Sequence, residues 1–132
     1  MLQTFDERNR DLKVWINGRI LHRDEAGVSP FDSVVQGGDG VWEGLRLYDG
    51  KIFKLIEHLE RLEGSAKALA FAHIPPMEEI IDALRQTLAA NDMRDGVHVR
   101  LTLPRGVRGT SGMEPRGRRG GATLVLGAVG AG

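Results

Sequence analysis

The stretch Gly38-Asp39-Gly40-Val41-Trp42-Glu43-Gly44-Leu45-Arg46-Leu47-Tyr48-Asp49-Gly50 decides how this chain folds. Residues 41–48 alternate. Trp42, Gly44, Arg46 and Tyr48 project to one side, and Val41, Glu43, Leu45 and Leu47 to the other, the period of a strand with one buried face. Asp49-Gly50 predicts a tight turn, because both central positions of such a turn need positive φ, and a second strand follows at Lys51 to Leu55. From Glu57 the period lengthens, with Leu59, Leu62, Ala66 and Leu69 recurring every three or four residues as the stripe of an amphipathic helix.

Working outward, Val14-Trp15-Ile16 and Arg19-Ile20-Leu21 flank Asn17-Gly18 and predict a hairpin over residues 13–22. A loop containing Gly27 and Pro30 links it to the central strand. Pro75-Pro76 breaks the chain, and Ile80, Ile81, Leu84 and Leu88 define a second helix over 77–90, ending near Asn91. Val97, Val99, Leu101 and Leu103 alternate with His98, Arg100 and Thr102, which makes 97–103 a strand with one polar face. Residues 104–121, rich in glycine and arginine, read as a mobile loop, and 122–129 as an apolar strand. The expected fold is α+β: a two-layer domain of a mostly antiparallel sheet with two helices packed on it.

At 132 residues the chain fits one domain with a single core. The 18 basic and 18 acidic residues cancel, so global charge draws it neither to nucleic acid nor to an anionic membrane. With no cysteine it has no disulfide framework, thiolate metal site or cysteine nucleophile. Met1 to Asp11 lacks the apolar segment of a secretory signal, and no apolar run reaches spanning length, so a cytoplasmic location is expected. An apolar strand followed at once by Gly130-Ala131-Gly132 reads as the end of a fragment or an altered end.

Chemistry-bearing residues fall into a few groups. Arg61 shares a helix face with His58 and Ser65; its planar donors suit a phosphate or carboxylate, while spacing alone favours a surface ion pair with Glu57 or Glu60. Gly37-Gly38-Asp39-Gly40 is either a backbone anion-binding loop or a turn before a strand, and its glycine spacing fits neither a P-loop nor a dinucleotide fingerprint. Trp42 and Arg46 flank Gly44, as pocket walls or as a core tryptophan beside a solvated arginine. His98 and Arg100 share a strand face that either meets a substrate carboxylate or faces solvent. His22, His58, His73 and His98 follow no metal-ligand spacing, so no metal is expected. Arg116-Gly117-Arg118-Arg119 raises single-stranded nucleic-acid binding as another class of function, but lacks the aromatic residues on which bases stack.

In order, Val14-Trp15-Ile16-Asn17-Gly18, Gly38-Asp39-Gly40-Val41-Trp42-Glu43-Gly44-Leu45-Arg46, His58-Leu59-Glu60-Arg61-Leu62 with Ser65-Ala66-Lys67, and Thr110-Ser111-Gly112-Met113-Glu114-Pro115 resemble the N-terminal domain of the class IV, fold-type IV pyridoxal phosphate aminotransferases. The Glu-Gly-Leu-Arg segment leans towards branched-chain members, while Gly-Asp-Gly also occurs in the D-amino acid aminotransferase and aminodeoxychorismate lyase branches. The resemblance implies transfer of an amino group between an amino acid and a 2-oxo acid, in a homodimer. It also implies that Arg61 binds the cofactor phosphate, Trp42 lines the substrate pocket, and Arg100 recognises the side-chain carboxylate of a dicarboxylate substrate, with His98 beside it in place of the family's tyrosine. Trp42 stands where phenylalanine or tyrosine is usual, and Gly37 where the branched-chain branch often has a pocket tyrosine. The family's cofactor-holding lysine lies in a C-terminal domain, and Lys13, Lys51, Lys54 and Lys67 do not match it. Residues 1–132 are accordingly expected to be the N-terminal domain without its lysine-bearing partner. Such a chain is expected to be inactive alone, or to act as a non-catalytic domain through protein association.

Overall fold

The computed structural model describes residues 4–105 and 124–130. Among these, six strands form one antiparallel sheet: β1 (Lys13–Ile16), β2 (Arg19–His22), β3 (Gly40–Tyr48), β4 (Lys51–Ile52), β5 (Val97–Pro104) and β6 (Val125–Gly130), in the order β2-β1-β6-β5-β3-β4. Three α-helices accompany them, the short α1 (Ser33–Gly37), then α2 (Leu55–Ala68) and α3 (Met77–Ala90), with a single 3-10 turn at Glu7–Asn9.

Both Asx-Gly turns form as their chemistry dictates. Asn17 and Gly18 take φ 48 and 86, and Asp49 and Gly50 take φ 47 and 76, matching the right-handed twist of the flanking strands. The hairpin over 13–22 and the helix over 77–90 appear with the expected bounds. The strand after Asp49-Gly50 is shorter than its composition indicates, stopping at Ile52 rather than Leu55. Phe53 still donates its N–H to the Arg46 carbonyl, but Lys54 turns left-handed, at φ 51, and starts α2 two residues before Glu57. The last strand runs over 125–130.

Register fixes which residues share a face. Trp15, Leu126, Leu101 and Glu43 lie in one row across four strands, and Ile16, Val125, Thr102 and Trp42 lie in the next row on the opposite face. The first face carries the core: Val41, Leu45, Leu47, Val97, Val99, Leu101, Leu103, Leu126 and Ala128 pack against Leu59, Leu62 and Ala66 of α2 and Ile80, Ala83 and Leu84 of α3. Removing this apolar surface from water is the main force holding the two layers together. Asn91 fastens α3 to β1 by exchanging hydrogen bonds with Lys13, accepting from its N–H at 2.7 Å and donating to its carbonyl at 2.8 Å.

Before β3, Asp32 caps α1 by accepting the Val34 N–H at 2.9 Å, and Gly38 ends it at φ 66. The amides of Gly38, Asp39 and Gly40 donate to the carbonyls of Val34, Ser33 and Gly38. These glycines therefore close a helix and open a strand, and those three N–H groups are not turned to an anion. Asp32 Oδ2 and Ser33 Oγ are buried with no hydrogen-bond partner among the described residues. Arg105 staples the same segment from behind, pairing with Asp39 at 2.5 Å, donating to the Leu69 carbonyl at 2.6 Å and stacking on Phe71.

Candidate functional site

Two groups of side chains stand on opposite sides of β3. On the helix-covered face, Glu43 is a carboxylate in a row of leucines and valines, with only 6% of its side chain exposed. A charge so placed needs basic partners. The first half of α2 supplies them: His58 and Arg61 are three residues apart and lie on one helix face. Arg61 donates Nε–H to both Glu43 oxygens, at 3.1 and 3.0 Å, and Nη2–H to Oε1 at 2.6 Å. His58 Nδ1 lies 2.7 Å from the same Oε1; because a carboxylate only accepts, Nδ1 carries the proton. Burial raises the Glu43 carboxyl pKa, but the hydrogen bonds from Arg61 and His58 outweigh that and hold it below its ordinary value. The same bond to Glu43 raises the Arg61 pKa.

Arg61 is pinned at one edge only. Its side chain is 67% exposed, and its Nη1 group meets no acceptor among the described residues. The ion pair that composition placed at Glu57 or Glu60 is instead made across layers, to Glu43. A planar cation with a free pair of N–H groups suits a phosphate or carboxylate.

On the open face, Trp42 is 55% exposed rather than in the core, and the Arg100 guanidinium lies 3.6 Å from its ring centroid. That stack is a cation–π contact. In register, the neighbours of Arg100 on both adjoining strands are glycines, Gly44 and Gly127. Gly44 makes room for His98: a Cβ there would stand 3.1 Å from His98 Cε1 and 3.7 Å from the Trp42 ring. Arg46 pairs with His98 in register, and among the described residues no strand residue on this face is acidic. The structure thus brings Trp42, His98 and Arg100 together on one face, and sets Arg61 on the other with Glu43 and His58.

A class IV aminotransferase profile matches residues 40–126, more than half of the chain. The chain belongs to the class IV aminotransferases. It is 57% identical, over 118 residues, to branched-chain-amino-acid aminotransferase-like protein 1 of Arabidopsis thaliana, covering 89% of this chain and 21% of that protein. Against a putative branched-chain-amino-acid aminotransferase of Methanocaldococcus jannaschii it is 44% identical over 105 residues, 80% of this chain and 36% of that one. The fold matches the crystal structure of the branched-chain aminotransferase of the thermophilic archaeon Thermoproteus uzoniensis with norvaline, with a TM-score of 0.77 at 28% identity, covering 92% of this chain and 41% of that one. The sheet and its two main helices correspond to the N-terminal domain of the fold-type IV enzymes. The chain therefore spans about a fifth to two fifths of the proteins it resembles.

Residue types alone do not single out Glu43 as part of this site. The signal was nonetheless present: a glutamate on the apolar side of an alternating strand, followed by two basic residues at helical spacing. The motif at 110–115 and the arginine-glycine run at 116–121 lie outside the described residues. Among the described residues no three metal-ligating side chains come together, and no helix is long and apolar enough to cross a membrane.

Proposed function

We propose that residues 1–132 form the N-terminal domain of a pyridoxal phosphate-dependent aminotransferase of the branched-chain type. In the assembled enzyme a C-terminal domain outside these residues supplies the cofactor-holding lysine. Bound there, the cofactor would supply an electron sink for carbanion chemistry at the substrate α-carbon. The observation that carries this reading is the arrangement of Arg61, a cation fastened at one edge and free at the other, as a phosphate anchor requires.

Each residue of this chain then has a defined part. Arg61 holds the phosphate through the Nη1 edge that Glu43 leaves free. Trp42 forms one wall of the substrate pocket, and its stack with Arg100 fixes the guanidinium while leaving N–H groups at the rim for a substrate carboxylate. His98, in the space above Gly44, is a second donor to that carboxylate. The substrates are a branched-chain amino acid and a 2-oxo acid, and the enzyme works as a homodimer in the cytoplasm. Two of the four lysines have partners within this chain: Lys67 pairs with Glu63 at 2.7 Å, and Lys54 sits over the Phe53 ring.

The test is reconstitution. The chain joined to a lysine-bearing class IV C-terminal domain is expected to transfer the amino group of leucine, isoleucine or valine to 2-oxoglutarate. Arg61→Met should lower its cofactor affinity at least tenfold. The chain alone, mixed with pyridoxal phosphate and borohydride, should show no stoichiometric labelling of one lysine. Specific labelling of one lysine, or an assembled enzyme without amino transfer from any of the three amino acids, overturns the reading.

A further inference from the structure

We infer that Glu43 and His58 are positioning residues for Arg61, fixing its guanidinium so that the Nη1 edge is presented to a phosphate group. The inference rests on the reading of Arg61 as a phosphate anchor.

An arginine side chain that is two-thirds exposed ordinarily samples many rotamers, and an anion that binds it must stop that motion. Here the motion is stopped beforehand. Glu43 Oε2 accepts Nε–H, and Oε1 accepts both Nε–H and Nη2–H, so the guanidinium plane is set by the plane of a buried carboxylate. That carboxylate is itself held, because it projects from β3 into the packed layer and its Oε1 also takes the His58 Nδ1 proton at 2.7 Å. The chain of restraint runs from sheet to Glu43 to Arg61, with His58 as a brace from the same helix. The two N–H groups of Nη1 and the second N–H of Nη2 are left to project outward, and they offer an incoming phosphate one edge of the guanidinium.

Glu43 also has an opposite effect, since its negative charge near the anchor repels an anion. The two effects predict opposite outcomes when the charge is removed. If Glu43 merely neutralises Arg61, Glu43→Gln tightens phosphate binding. If Glu43 positions it, the same change weakens binding, because a glutamine offers one acceptor where the fork needs two and sets an N–H against the guanidinium. The repulsion is attenuated by solvent at so exposed an arginine, so the loss of order should dominate.

The experiment is a titration of the 15N-labelled 132-residue chain with inorganic phosphate, read on the Arg61 Nε–H resonance assigned through Arg61→Lys. In the wild type that proton should exchange more slowly than those of solvated arginines and shift as phosphate is added. Glu43→Gln should raise the phosphate Kd at least fivefold and bring Nε–H exchange up to that of solvated arginines. Glu43→Asp should partly restore both, and His58→Gln should raise Kd two- to threefold. Equal or tighter phosphate binding by Glu43→Gln, with binding still lost in Arg61→Lys, overturns the positioning role and leaves the anchor standing. Equal binding by wild type and Arg61→Lys, or none by either, overturns the anchor and the positioning role with it. Should Glu43→Gln fail to fold, the wild-type resonance decides: unprotected exchange overturns the proposal, and protection with a phosphate-dependent shift supports it.

Discussion

Trp42 and Glu43 are adjacent in the chain and face opposite sides of the sheet, one stacked under Arg100 and the other held by Arg61. A single peptide bond of β3 thus joins the proposed pocket wall to the support of the proposed phosphate anchor. A one-residue slip of β3 against β5 would exchange the two faces, leaving a carboxylate in the open and a tryptophan among the leucines. The eight-residue pairing of β3 with β5 prevents it.

The Glu43 cluster predicts a particular response to acid. Its carboxyl pKa lies below the ordinary 4.5 in the folded chain, so it contributes stability above that pH and loses it as pH falls through the folded value. The melting temperature of the wild type should therefore drop on acidification below 4.5. In Glu43→Gln it should start lower at pH 7 and depend less on pH over the same interval. Parallel profiles for the two proteins would show that the cluster is not the responsible group.

Loss of the stack on the open face should be mild for stability and visible in fluorescence. Arg100→Leu removes a cation–π contact worth about 0.5–1 kcal/mol at an exposed site. Trp42 emission should change, while Trp15, hydrogen-bonded to Gln86 at 3.3 Å on the other face, should keep its environment. Comparison with a Trp15→Phe background separates the two signals.

Gly44→Ala tests whether the empty space beside His98 is used. The added Cβ would come within 3.1 Å of His98 Cε1, closer than ordinary contact, so the imidazole must swing aside. The His98 Cε1–H resonance should shift, with melting lowered by the equivalent of about 1 kcal/mol. An unmoved His98 resonance would mean that the glycine is present only for its backbone.

Gly130→Ala tests the tie between the N-terminal turn and β6. Its Cβ would lie 2.5 Å from Asp6 Oδ2 and 2.7 Å from Arg8 Nε, in a cluster where Arg8 also donates to the carbonyls of Asp95 and Gly96. The atoms that must move are the ends of partly exposed side chains, so loosening the N-terminal turn from the end of β6 should cost about 1 kcal/mol or less. Hydrogen exchange should quicken at Gly130, whose N–H is held by Asn9 at 2.6 Å.

Local chemistry is legible in the sequence and spatial order is not. The turns at Asn17-Gly18 and Asp49-Gly50, and the start of α3 after Pro75-Pro76, follow from backbone preferences confined to a few residues. The five-residue α1 leaves no periodic trace, so the segment before Gly38 reads as loop. The glycines at 37–40 look open to a ligand because nothing in their spacing shows that α1 and β3 consume their amides. Arg61 is recognisable as a helical cation, but its tie to Glu43 depends on which face of β3 meets α2. Spacing within one element cannot determine that.

The position of β6 between β1 and β5 has a consequence for biosynthesis. A ribosome makes the β1–β2 hairpin before β6, yet among the described residues that hairpin meets the rest of the sheet through Leu124, Val125 and Leu126, more than a hundred residues later. Until that segment has emerged, the nascent hairpin is without its permanent neighbour, and its Trp15 side has no strand to complete the row. Pairing this remote is slow to form. Folding of this sheet is therefore a post-delivery event, completed from its middle once β6 has left the ribosome.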